Sequence, residues 1–154
     1  MHGVSQIDIC EDVTVVTLTN MPLSLGVAVE AFSRIADAKI DIDMISQTSP
    51  AGDRVNLSFT CLDQDLRKVL EITKGIKKRY PKIESLVSSG NVKIQLFGEE
   101  MRGMPGVFAR ALHALSDAKV EPQLITTSEI DISLLIVVSS LPAAMESLTS
   151  AFNI

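Results

Sequence analysis

The sequence repeats itself at a spacing of 80 residues: Gly26-Val27 returns as Gly106-Val107, Ala31 as Ala111, Asp37-Ala38-Lys39 as Asp117-Ala118-Lys119, and Ile45 as Ile125. A duplication of this kind limits the chain to two copies of one supersecondary unit, and whatever is read in one half must be readable in the other.

Each copy opens with an apolar strand pattern, Val13 to Leu18 and then Val92 to Phe97, followed by a loop containing Pro and Gly. From Gly26 and Gly106 the period changes to that of a helix, with Val27, Ala31 and Ile35 on one stripe and Val107, Ala111 and Leu115 on the other, and both helices are predicted to end at Asp-Ala-Lys. A strand over Ile40 to Gln47, or Val120 to Thr127, comes next. Strict alternation then places Val55, Leu57, Phe59 and Cys61 on one strand face, and Ile130, Ile132, Leu134 and Ile136 on its equivalent. Second helices are read from Leu66, Val69, Leu70, Ile72 and Ile76, with Asp63 as cap, and from Met145, Leu148 and Phe152, with Pro142 in the first turn.

The first copy ends in a strand around Ile83 to Val87, completing the order β-α-β-β-α-β, whereas the second reaches Ile154 without one. Residues 3 to 9 are strand-like and left over, so the N-terminal segment is expected to complete the second sheet. The expectation is an α+β, ferredoxin-like βαββαβ sandwich in tandem, with one domain over 11–88 and the other over 1–10 plus 89–154. Both helices of each unit lie on one sheet face by the right-handed crossover rule, which leaves the other face and the sheet edges open to pairing and makes a homodimer the expected assembly.

Composition removes several function classes. With 14 basic against 19 acidic side chains, a formal charge of −5 and 4% aromatic residues, the chain lacks the basic face and stacking aromatics of a nucleic-acid binder. Its longest apolar run, Leu134 to Val138, is far too short to span a membrane. Cys10 and Cys61 have no metal-ligand or redox spacing, consistent with a reducing, cytoplasmic setting. No metal or cofactor is implied. His2 and His113 have no sequence neighbours that would make them catalytic, and both are read as structural. Gly98, Gly103 and Gly106 are not followed by the Lys-Ser or Lys-Thr of a phosphate-binding loop. The lysine-rich stretch Lys74 to Lys82 reads as the solvated end of a helix, where cations complement the helix dipole.

The strand-to-helix loops carry the chemistry. A helix opening at Pro105-Gly106-Val107 points unpaired backbone N–H groups outward, at a place that favours a carboxylate, and Gly allows close approach. The repeat puts Gly26 at the equivalent place, and the second strand would carry Asp43, Gln47, Thr127 and Ser128 near those loops.

The segment from Phe97 through Met101-Arg-Gly-Met-Pro-Gly-Val to Leu115, followed by Leu124-Ile-Thr-Thr-Ser-Glu-Ile, resembles the C-terminal regulatory region of aspartate kinases, a tandem of ACT domains. Ile40-Asp-Ile-Asp-Met-Ile-Ser-Gln and Leu57-Ser-Phe-Thr resemble it in the first half. The resemblance implies feedback control, in which a small amino acid, lysine or threonine, binds where ACT units meet and acts on a kinase catalytic domain or subunit. It also implies effector-facing positions at Asn20, Gly26, Val27, Ala28, Asp43 and Gln47, and at Met104, Gly106, Val107, Phe108, Glu121, Pro122, Ser128 and Glu129. No kinase catalytic segment is read in these residues, so a regulatory module without enzyme activity is expected. The first loop, Met21-Pro-Leu-Ser-Leu-Gly, has three residues between Pro22 and Gly26, and Glu121-Pro122 replaces the family's usual Asn and aliphatic pair. These departures motivate the alternative of an oligomerisation module with degenerate pockets.

Overall fold

A computed structural model describes residues 2–154. The chain divides into two compact units, a central one over Asp12–Ser89 and a terminal one made of Met1–Glu11 with Gly90–Ile154. Two long strands, β1 (Gln6–Pro22) and β4 (Glu84–Phe97), contribute residues to both.

In the central unit β1 is followed by α1 (Leu25–Asp37), β2 (Ile45–Gln47), β3 (Arg54–Leu62), α2 (Leu66–Arg79) and then β4, with strand order β2-β3-β1-β4. β3 pairs antiparallel with β1 and β2, Val16 opposite Phe59 and Ile45 opposite Phe59 on the other side. The core lies between sheet and helices. Val16, Leu18, Val55, Leu57, Phe59 and Cys61 from the strands meet Val27, Ala31 and Ile35 of α1 and Val69 and Ile76 of α2. Phe32 of α1 sets its ring edge-on to Phe59 at 5.4 Å. Glu30 ties the helices together, accepting from Arg34 one turn on and from Arg79 of α2.

The terminal unit adds α3 (Val107–Asp117), β5 (Leu124–Thr127), β6 (Asp131–Val137) and α4 (Leu141–Phe152), with strand order β1-β4-β6-β5. β6 pairs antiparallel with β4 and β5. Ile94, Leu96, Ile132, Leu134 and Ile136 pack against Ala111, Leu115, Ala144, Leu148 and Phe152. Val4 joins this core, and Ser5 donates its amide to the Phe97 carbonyl at 2.8 Å, so the N-terminal segment completes the second sheet.

The two repeats share a helix stop. After α1 the Lys39 amide donates to Ala36 and the Ile40 amide reaches back to Ile35; after α3 Lys119 donates to Ser116 and Val120 to Leu115. Lys39 and Lys119 hold φ of 61° and 57°, the left-handed turn that such a double bond requires. The repeated Asp-Ala-Lys is therefore a stop signal followed by an apolar residue that folds back onto the core.

Three local expectations change. The strand expected over Ile40 to Gln47 forms only at Ile45–Gln47, and its equivalent only at Leu124–Thr127. Ahead of β2, contact with β3 reduces to bonds at Thr60, and Pro122 has no N–H to give. Asp63 does not cap α2. It opens a 3₁₀ turn and accepts from the Thr14 hydroxyl at 2.5 Å. The sheet face turned away from the helices is also less open than the alternation predicts, since Val13, Val15, Thr60, Ser133 and Leu135 are buried.

Candidate functional site

The loop before α3 builds a cleft in the terminal unit. After β4, Gly98 donates to the Ile130 carbonyl, a 3₁₀ turn spans Glu99–Met101, and Met101 and Met104 donate back to Gly98 and Met101. Gly106 sits at the N-cap of α3 with φ 92°, a left-handed conformation that suits glycine, and the first bond inside the helix runs from Arg110 to its carbonyl. The amides just inside the helix start have no partner within the helix.

Opposite lies the turn between β5 and β6. The Ser128 hydroxyl donates to Asp131 and accepts from the amides of Ile130 and Asp131, both at 3.2 Å, while the Ser128 amide donates to the Asp131 carbonyl at 2.9 Å. Glu129 lies in this turn with its side chain largely exposed, and its carboxylate pairs with the Arg102 guanidinium. Between loop and turn is a cleft of about 560 Å³. Its walls are apolar at Met101, Met104, Val107, Phe108, Ile125 and Ile132, hydroxylated at Thr127 and Ser128, and charged at Arg102 and Glu129. The site thus offers donors, one cation, one anion and an apolar floor, a set that suits a small zwitterion.

Of the positions proposed from the second half, Met104, Gly106, Val107, Phe108, Ser128 and Glu129 line this cleft. Glu121 and Pro122 do not; they precede β5, whose first link is the Gln123 amide to Leu135 at 2.7 Å. Arg102 was not among the expected residues. It stands three residues before Pro105, and nothing in that spacing shows that the β5–β6 turn brings Glu129 opposite it.

The central unit does not repeat this arrangement. Asn20, at φ 58°, donates its side-chain amide to the Lys82 carbonyl at 3.1 Å and accepts from Arg54 on its own carbonyl. Gly26 lies in the first turn of α1, Val27 is buried with its amide on the Ser24 carbonyl at 3.1 Å, and Ala28 follows half-buried. Asp43 is exposed and donates its amide to Thr60, and Gln47 ends β2 opposite Leu57. A smaller cavity of about 390 Å³ has Asn20 in its wall and none of the other five. Loop length explains the difference: two residues, Leu23 and Ser24, join β1 to α1 where nine join β4 to α3, so the central unit has no counterpart of the loop that carries Arg102. Leu23, Leu25 and Val29 are exposed at the start of α1 instead, Leu25 by 81%.

Elsewhere, His2 lies beside Asn153, and Arg110 holds its pKa below the usual imidazole value. Burial, with Asp65 and Asp63 nearby, pushes the Cys61 thiol up to about 11. Among the described residues no group of His, Cys, Asp and Glu could hold a metal ion, and no helix is long and apolar enough to cross a membrane.

The βαββαβ order of the two halves is that of a regulatory domain fold, and the comparisons agree. The ACT domain family model matches residues 15–74 and 94–152, and the chain belongs to that family. More particularly, the tandem resembles the regulatory region of aspartate kinases. An aspartokinase of Corynebacterium glutamicum is 36% identical over 144 residues, which cover 92% of this chain and 34% of that protein. The ligand-free regulatory subunit of aspartate kinase from Thermus thermophilus superposes with a TM-score of 0.87 at 25% identity, over 97% of this chain and 99% of that one. Aspartate kinase from Synechocystis gives 0.92 at 30% identity, over 99% of this chain and 27% of its own. The chain therefore spans about a third of the length of the curated relatives it matches.

Proposed function

We propose that this chain senses a small amino acid, lysine or threonine, and relays its occupancy as feedback control to an aspartate kinase catalytic domain or subunit in the cytoplasm. The two ACT domains are assigned to 11–88 and to 1–10 plus 89–154, and the working assembly is a homodimer. One observation carries the reading: the cleft at the start of α3 sets Arg102 and helix-start amides against Glu129, so that each charge of a zwitterion has an opposite partner within one cavity. Ligand control then follows as a population shift, limited by the effector's differential affinity for the two kinase states. At about 100 times Kd an effector stabilises the fold by roughly 2.7 kcal/mol. A melting scan against the common amino acids is therefore expected to show at least one clear rise, and a flat response across all of them would refute the reading.

The second reading, structural oligomerisation, is favoured in the central unit by Leu23, Leu25 and Val29, which are exposed where a cleft would otherwise be. A second copy of the chain is the proposed partner. Leu25→Lys is expected to lower the mass measured by light scattering, and an unchanged mass would remove this role.

A further inference from the structure

The positive charge of the chain is concentrated on one helix. Seven of the 14 basic side chains lie between Arg67 and Lys82 with a single acid, Glu71, so this stretch carries +6; the other residues, with seven basic and 18 acidic side chains, carry −11. On α2, Arg67, Lys74 and Lys78 recur at helical spacing and share one face, opposite the buried Val69, Thr73 and Ile76. All three are exposed, and Leu70 stands on the same face with 39% of its surface open. Among the described residues Arg79 is the one basic residue of the stretch held in an ion pair.

The complementary surface lies on the terminal unit, where a groove of about 560 Å³ runs between α3 and α4. Its floor is made of small residues, Ala114, Ala118, Ala143 and Ser147, and the Ser147 hydroxyl holds the helices close by donating to the Ala114 carbonyl at 2.6 Å. Arg110 closes one end, donating to the Ala151 carbonyl at 3.4 Å, which leaves Asp117 and Glu146 as the charges along the rest. Neither acid has an ion-pair partner among the described residues. The repeat explains why this groove is open. Ala114 takes the place of Arg34, whose guanidinium lies across α2, 3.1 Å from where a Cβ on Gly75 would stand, and shares Glu30 with Arg79. The central unit fills its groove with its own side chains, and the terminal unit does not.

We infer that the basic face of α2 docks in the α3–α4 groove of a second copy of this chain, with Leu70 on the alanine and serine floor and Lys74 and Lys78 toward Asp117 and Glu146. The ridge from Arg67 to Lys78 is about 16 Å long, a helix-in-groove fit in shape as well as charge. Two α2 faces repel each other, so the contact joins unlike surfaces and is not closed by a self-complementary pair. A nucleic acid or a membrane extends past the helix toward the acids that make up the remaining −11, which disfavours both. The contact uses neither the cleft before α3 nor the Leu25 patch and stands independently of the amino-acid reading.

The test is the mass of the full chain by analytical ultracentrifugation, with the exposed Leu25→Lys carried in every sample so that the contact proposed at the start of α1 is absent. At about 20 mM salt the mass is expected to rise with concentration above that of one chain, and at about 0.5 M, where screening is short-ranged, to return to it. Lys74→Glu with Lys78→Glu, and separately Asp117→Lys with Glu146→Lys, change exposed residues and keep the fold, which circular dichroism checks. Each pair is expected to weaken association about tenfold or more. An equimolar mixture of the two variants regains it, because an acidic helix then meets a basic groove. A mass that salt does not change, either variant keeping the parent mass, or a mixture of folded variants that stays at one chain overturns the contact. Duplex DNA and phosphatidylserine vesicles are run alongside. Binding to either that Lys74→Glu with Lys78→Glu abolishes, in a chain that does not self-associate, gives the face to a polyanion and overturns it as well.

Discussion

A Cβ placed on Gly98 would lie 1.8 Å from the carbonyl oxygen of Gly3. The N-terminal segment therefore crosses the start of the cleft loop at a distance only glycine permits. Gly3 itself faces Val107 and Met104, so both sides of the crossing are closed to side chains. Gly98→Ala must displace backbone rather than a side-chain tip, and is expected to destabilise the chain by about 3 kcal/mol or more. At roughly 2–4 °C per kcal/mol, thermal melting should fall by at least about 6 °C. A change below about 1 °C would show that the crossing is looser than described.

Replacement at the helix stops works in the opposite direction. Lys39 and Lys119 adopt left-handed backbone, a conformation that costs an L-residue and suits glycine. Lys39→Gly and Lys119→Gly are each expected to stabilise by about 0.5–1 kcal/mol, with near-additive effects because the two stops belong to separate units. Urea midpoints of the single and double variants measure this.

Two of the three phenylalanines of the terminal unit, Phe108 and Phe152, separate core from site. Phe152 is fully buried, and Phe152→Ala should cost about 3–5 kcal/mol. Phe108 is partly exposed in the cleft wall, and Phe108→Ala should cost less than about 1 kcal/mol while weakening amino-acid binding. Chemical denaturation and titration of both variants give the two readouts.

Cys61 makes stability depend on alkaline pH. Its folded pKa, about 11, lies above the ordinary value of 9.0. The proton is held more tightly in the folded state, so the contribution is complete below about pH 9 and disappears as pH climbs through 11. The stability gap between the native chain and Cys61→Ala should narrow across that window, on the order of 2 kcal/mol. A gap that is constant with pH would contradict the burial of the thiol.

How much was legible beforehand follows from which residues carry periodic information. The helix stripes at Val27, Ala31 and Ile35 and their repeats are apolar at helical spacing and end at a duplicated stop, so α1 and α3 could be read directly. β1 and β4 run to 17 and 14 residues, well past the apolar stretches that marked them, because Glu11-Asp12 and Ser88-Ser89-Gly90 break the pattern without breaking the strand. The cleft loop was legible because glycine and proline punctuate it. Arg102 was not, because its role depends on Glu129, 27 residues away and brought opposite by the β5–β6 turn. In the central unit repeat alignment over-predicted: Gly106 caps α3, whereas Gly26 is the second residue of α1 behind a Ser24 cap, and the loop that carries Arg102 has no counterpart between Pro22 and Leu25.

The most direct test of the central claim is an amide NMR titration of the full chain with threonine and, separately, with lysine. The account predicts that the largest shifts fall on Gly106, Val107 and Phe108 at the start of α3 and on Thr127, Ser128 and Glu129 across the cleft. Saturable binding that leaves both groups unmoved, or no binding of either amino acid at millimolar concentration, would contradict it.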